Sequence, residues 1–260
     1  MGRAARHAGH PRRPVPDPQR PGPDLSLHPR STPVGTVPSP NIWHHTATYE
    51  LENRAFDRPG RVTDALRGLA DWTGRDVLDL GCGTGFHLPA WAVDARSVTG
   101  VEPHPDLVGL ARRRTRRWEN VTVRQGTAQA TGLPDRSVDV VQVRWAYFFG
   151  PGSEPGLREL DRVVRPGGVA VVIDNDATTS TFGQWFRRGY PTVAPDAVER
   201  FWQARGWSRQ PVLTAWEFDS RADFEAVVRI EFPPRVAEEI CAQHRGTSVD
   251  YAVNLWWRRF

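Results

Sequence analysis

The chain contains no lysine, and all 34 of its basic residues are arginine. A Walker-type phosphate loop needs a lysine and Schiff-base catalysis needs an amine, so neither chemistry is available. Arginine at every basic position reads as the compositional habit of a GC-rich genome, not as a separate need for a guanidinium fork at each site. Cysteine is nearly as scarce. Cys82 and Cys241 are too few for a disulfide framework or a cysteine-rich zinc site, and they fit a reducing, cytoplasmic setting. No run approaches the roughly 18 apolar residues of a membrane span, and the N-terminus lacks the apolar segment of an export signal.

The composition is otherwise ordinary, with 39% hydrophobic and 25% charged residues, so a buried core is available. A formal charge of +4 and a pI near 9.6 invite a nucleic-acid reading. The location of the charge argues against it. Residues 1–40 hold six arginines against Asp17 and Asp24, which accounts for the whole excess and leaves the rest of the chain neutral. That stretch also carries ten prolines and few large apolar side chains, and it is expected to be a disordered Pro/Arg-rich tail. One domain is expected over 41–260.

Within it, strand-like and helix-like segments alternate, the pattern of a parallel sheet covered by helices on both faces, an α/β architecture. Strands are expected at 76–80, 97–101, 121–124, 138–144, 169–174, 211–218 and 250–257. Helices are expected at 61–72, 86–93, 105–118, 155–164 and 194–205, with two more inside 220–244. The run Arg165-Pro166-Gly167-Gly168 is expected to stop the fourth of these helices.

Val77-Leu78-Asp79-Leu80-Gly81-Cys82-Gly83-Thr84-Gly85 places a glycine-rich turn between the first strand and its helix, an arrangement that presents backbone N–H groups to a polar ligand. The spacing is not that of a dinucleotide fingerprint, because Phe86 stands where the third dinucleotide glycine would be. About 20 residues later Glu102 ends the second strand, where a carboxylate can accept both hydroxyls of a ribose.

Further local matches follow in order: Gln125-Gly126-Thr127-Ala128-Gln129-Ala130 with Leu133-Pro134, then Ser137-Val138-Asp139-Val140-Val141, then Glu159 to Gly168. Together these resemble the type 11 group of class I S-adenosylmethionine (SAM)-dependent methyltransferases. The resemblance implies a Rossmann-like, seven-stranded sheet in the order 3-2-1-4-5-7-6 with the last strand antiparallel. It puts the methionine end of SAM on Gly81, Cys82, Gly83 and Gly85, with Asp79 supporting the amino group, Glu102 on the ribose, and Pro103 and Ala128 about the adenine. Thr127 stands where the family has an Asp, which leaves that contact to a hydroxyl, Gln129 or the backbone. The segment Asn41 to Glu50 is similar to the N-terminal cap of related enzymes, in which a tyrosine, here Tyr49, reaches the SAM carboxylate.

SAM carries its own leaving group, so methyl transfer needs mostly alignment, and a base only when the acceptor must lose a proton. No catalytic residue is therefore fixed by motif; the candidates are His44, His45, Tyr147 and Asp174. Adjacent His44 and His45 point apart and have no ligand-spaced partners, so no metal is expected. Segments beyond the carboxyl ends of the strands are pocket candidates: Arg144, Trp145 and Tyr147, then Asp174, Asn175 and Asp176, then Phe182, Trp185 and Phe186. Arg144 is also counted among the cofactor contacts. The aromatics point to an apolar or aromatic small-molecule acceptor. The cap at 41–60 and the insertion at 220–248 are expected to form a substrate lid, with packing on the sheet edge as the competing arrangement. Two other functions stay open: nucleic-acid methylation through a basic face of Arg112, Arg113, Arg114, Arg116 and Arg117, otherwise a solvated face; and SAM binding without methyl transfer.

Overall fold

The computed structural model describes residue 36, residues 38–146 and residues 150–260. The expected tail therefore lies outside the described residues except for its last positions, as do Tyr147, Phe148 and Phe149. Among the described residues, β1 (Asp76–Leu80), β2 (Ser97–Glu102), β3 (Val121–Gln125), β4 (Val138–Arg144), β5 (Val164–Asn175), β6 (Ser208–Glu217) and β7 (Ser248–Arg259) form one sheet in the order β3-β2-β1-β4-β5-β7-β6. Pairings from β3 through β5 are parallel, and β7 is antiparallel to both β5 and β6, as the resemblance implied.

The central strands are apolar on both faces, as they must be when helices cover both sides. Along β5, Val169, Val171 and Ile173 enter one core while Ala170 and Val172 enter the other. Each of these larger side chains is at most 3% exposed, and burying one contributes about 1.5–3 kcal/mol. The covering helices are α3 (Arg61–Leu69), α4 (Leu88–Ala92), α5 (Pro105–Thr115), α6 (Glu154–Val163), α7 (Thr181–Gly189) and α8 (Pro195–Gln203). Proline stands in the first two positions of α4, α5, α6 and α8, where its missing N–H has no intrahelical partner to lose. A cap of α1 (Pro40–His44) and α2 (Thr46–Ala55) precedes the sheet, and α9 (Arg221–Glu231) with α10 (Pro234–Gln243) connects β6 to β7.

Helices α3 and α5 end three residues earlier than expected, and the sheet and α7 differ more. β5 starts at Val164, so the Pro-Gly-Gly segment lies within the strand at a register shift and not after a helix. The reason is long-range: the Gly167 N–H donates to the Phe260 carbonyl and the Phe260 N–H to that of Gly168, at 2.6 and 2.9 Å. β6 and β7 are longer than expected because they pair with each other over ten residues. α7 was not expected at all; it carries Phe182, Trp185 and Phe186, whose aromatic side chains face neighbouring helices and β7. No described helix is long and apolar enough to cross a membrane.

At the amino ends of the strands, Arg165 bridges Asp76 and Asp139, both at 2.9 Å. Hydrogen bonds from Arg96, then Ser97 and Arg165, hold the Asp76 carboxyl far below its usual range. A depressed carboxyl contributes stability above about pH 4, and that contribution is lost as acid protonates it. We expect Arg165→Met to lower the unfolding free energy by about 1 kcal/mol at pH 7, given its partial exposure, and the gap from the native protein to narrow as the pH of the denaturant titration is taken down towards 2.

Candidate functional site

A cavity of about 480 Å³ opens beyond the carboxyl ends of β1, β2 and β4, where the order reverses between β1 and β4. This is the crevice in which open α/β sheets bind ligands, and its size is that of a small-molecule site. Gly81 and Gly83 form its floor, Glu102 and Pro103 one side, and Thr127, Ala128 and Gln129 the end beyond β3. Arg144, Trp145 and Ala146 form the opposite wall, and Ile42, Trp43 and Tyr49 of the cap form the roof.

The floor needs glycine for two separate reasons. Gly81 and Gly83 have φ of 79° and 54°, a region that side chains avoid. A Cβ on Gly81 would come within 2.8 Å of the Ala146 methyl, and one on Gly83 within 2.7 Å of Ile42 Cδ1. In this shape the Gly83 N–H donates to Glu102 Oε2 at 3.0 Å, while the His104 N–H donates to Oε1 at 2.9 Å. Burial pushes the Glu102 carboxyl up to about 7 despite these two donors. Cys82 and Gly85 flank the floor without lining the cavity; Cys82 is buried, with its sulfur against Gly100.

Strand register explains the next group. Asp79 of β1 lies opposite Gln142 of β4; the pair share a sheet face, and Gln142 Nε2 donates to Asp79 Oδ1 at 3.3 Å. Burial lifts Asp79 to about 6. Two residues on, Arg144 carries the same face into the cavity. Burial lowers its guanidinium to about 10, and its Nε has no partner among the described residues. Across the cavity Tyr49 is raised well above its ordinary value, first by burial and then by Glu52 and Glu231.

Trp145 has φ 46°, unusual for a large side chain and costing about 1–3 kcal/mol. Its N–H donates to Ile173 O at 2.9 Å and its indole Nε1 to Asn175 Oδ1 at 2.7 Å. The Tyr251 hydroxyl donates to the same Asn175 oxygen at 2.6 Å.

The cap is fastened at two points that sequence reasoning missed. Glu50 accepts from both Arg114 nitrogens, at 3.0 and 2.6 Å, and from the Thr84 hydroxyl of the glycine turn. Burial opposes ionisation of Glu50, but these donors hold its carboxyl below the usual range. Arg114 is thus a clamp and not part of a solvated face, and Arg112 is similarly used, donating to Val123 O. On the other flank of α2, Glu52 meets Glu231 of α9, and Asn41 donates to Glu231. Burial and mutual repulsion raise the Glu52 carboxyl, so this pair favours a shared proton. No local pattern announces either clamp, because each joins residues far apart in the chain.

The remaining candidates lie apart from the cavity. His44 and His45 are exposed. Asp174 accepts from Trp256 Nε1 at 3.1 Å and is lifted by burial to about 7. Phe182 and Phe186 are buried in the core, Phe182 stacked on Tyr251 at 3.7 Å. The 220–248 insertion contributes no lining residue; α9 and α10 lie behind the cap, against α2 and α7. His87, which no motif singled out, is buried near Arg144 and Arg114 and is held well below its ordinary pKa, chiefly by that burial.

Residues 78–172 match the family described as Methyltransferase domain. A demethylmenaquinone methyltransferase of Tropheryma whipplei is 30% identical over 145 residues, covering 50% of this chain and 60% of that protein. The YcgJ protein of Bacillus subtilis superimposes with a TM-score of 0.57 at 18% identity, covering 77% of this chain and 97% of that one. The [4+2]-cyclase SpnF superimposes with a TM-score of 0.51, also at 18% identity, over 76% and 80%. Residues 78–172 are thus similar to a methyltransferase domain, and the sheet has the strand order that this similarity implies. At these identities the solved structures show the fold alone, and the chain spans about three-fifths of the Tropheryma relative.

The raised Glu52 carboxyl has a consequence for stability. A carboxyl whose folded pKa exceeds its ordinary value of 4.5 stabilises the fold at low pH, and that stability declines as pH rises through the interval between the two values. Glu52→Gln keeps a hydrogen-bonding partner for Glu231 but cannot ionise. Its Tm relative to the native protein should rise steadily from pH 5 to pH 8; a constant difference would show that the pair carries no proton linkage.

Proposed function

We propose that the cavity binds SAM and that the protein transfers its methyl group to a small-molecule acceptor in the cytoplasm. The observation that carries this reading is the pairing, across one cavity, of a buried carboxyl at the end of β2 with a buried guanidinium at the end of β4 whose Nε is unpartnered among the described residues. A nucleoside joined to an amino acid presents the matching groups: ribose hydroxyls for Glu102 and a carboxylate for Arg144 and Tyr49. Each Glu102 oxygen accepts one backbone N–H and keeps a lone pair for a hydroxyl. Pro103, Ala128 and Thr127 offer a surface to the base. Asp79 is set back from the cavity and tied to Gln142, so its support of the amino group is electrostatic.

When bound, SAM supplies an activated methyl on a sulfonium. The chain's own part is to align the acceptor and to keep water away, which Ile42 and Ala146 do by closing on the glycine floor. The relatives named for demethylmenaquinone support a small acceptor over a nucleic acid. Engagement of Arg112 and Arg114 within the fold supports the same choice. A second reading, SAM binding without methyl transfer, is favoured by one observation: apart from Glu102, no described residue lining the cavity is a carboxylate or an imidazole that could take a proton.

Calorimetry with SAM should give binding that Glu102→Ala weakens by about tenfold to a hundredfold, the loss of two hydrogen bonds to a carboxylate. Incubation with methyl-labelled SAM and a metabolite extract should yield S-adenosylhomocysteine and a product heavier by one methyl. Binding without either product would select the second reading.

A further inference from the structure

Trp145 is held more tightly than a space-filling side chain requires. Its backbone lies in the left-handed region at φ 46°. The ring is oriented through its indole N–H on Asn175, whose oxygen also receives the Tyr251 hydroxyl. Phe56, the last turn of the cap, stands nearly perpendicular to the indole at 5.2 Å and meets Tyr251 at the same separation. Tyr251 is itself stacked on Phe182, fully buried in the core. A chain of contacts from β7 and α7 thus sets the angle of one indole, and Trp145, packed on one side against the core, lines the cavity beside Ala146, which stands over the glycine floor.

A buried indole N–H commonly finds a partner; here the fixed rotation coincides with a left-handed backbone that places Trp145 at the cavity wall, and a stacking surface needs a fixed position and a fixed rotation. We propose that Trp145 is the platform on which the acceptor lies, and that the acceptor is a flat aromatic ring. Asn175 acts as the positioning residue that turns the indole. This rests on the cavity being the cofactor and acceptor site proposed above.

Two probes of equal charge and nearly equal shape separate stacking from simple apolar burial: 2-naphthoate and decahydro-2-naphthoate, each titrated by calorimetry into the full chain saturated with S-adenosylhomocysteine. The aromatic probe should bind about tenfold tighter than its saturated counterpart. The ratio of the two affinities, taken within each protein, is unaffected by a general loosening of the cavity. It should fall to about one in Trp145→Leu, persist in Trp145→Phe, and drop at least threefold in Asn175→Ala, in which the ring is intact but no longer turned. Equal binding of both probes to the native protein, absence of naphthoate binding, or an undiminished ratio in Trp145→Leu and Asn175→Ala would each overturn the platform. A native protein that does not take up S-adenosylhomocysteine at all would instead overturn the cofactor assignment beneath it.

Discussion

The hydrogen bond from the Gly83 N–H to the Glu102 carboxylate joins the turn after β1 to the end of β2, and the site is built outward from it. It requires a glycine at φ 54°, because only that backbone turns the N–H towards β2 while leaving room for Ile42 above. It holds the carboxylate at the cavity wall although the residue is almost wholly buried. Desolvation of that acid is offset only in part by the two backbone donors, which leaves a group poised to gain from further hydrogen-bond donors. Ribose hydroxyls would be such donors.

The cap is an addition to the sheet that supplies the roof of the cavity. Its two fastenings differ in kind. Glu50, Arg114 and Thr84 form a charged cluster that ties α2 to α5 and to the glycine turn itself. Glu52 and Glu231 form an acid pair that ties the other side of α2 to the insertion. The insertion thereby acts on the cavity at one remove, by bracing the helix that carries Tyr49. The cap alone lines the cavity, and α9 packs behind it.

The arginine-rich composition takes on a different meaning in the folded chain. Arg114 clamps the cap, Arg112 closes on β3, Arg165 and Arg96 neutralise Asp76 beneath the sheet, and Arg144 faces the cavity. Arg96, Arg114 and Arg165 work as forks with several acceptors, and with Arg114 and Arg112 engaged a basic helix that resembled a nucleic-acid footprint is partly consumed by internal contacts.

The strand positions, the glycine turn and the acid at the end of β2 were legible in the sequence, because each depends on local spacing, whereas the strand order and the antiparallel last strand were implied by the family resemblance that those motifs carry. Proline likewise marks several helix starts, by a rule that acts within one turn. Tertiary structure alone decided the length of β5, which the final residue of the chain extends by pairing with Gly167 and Gly168. It alone decided that Phe182 and Phe186 are core and Trp145 is wall, since all three are aromatics near strand ends and differ only in what packs behind them. The clamps through Glu50 and Glu52 belong here too: their partners lie 64 and 179 positions away along the chain, and no local pattern records a contact made only after the sheet has closed.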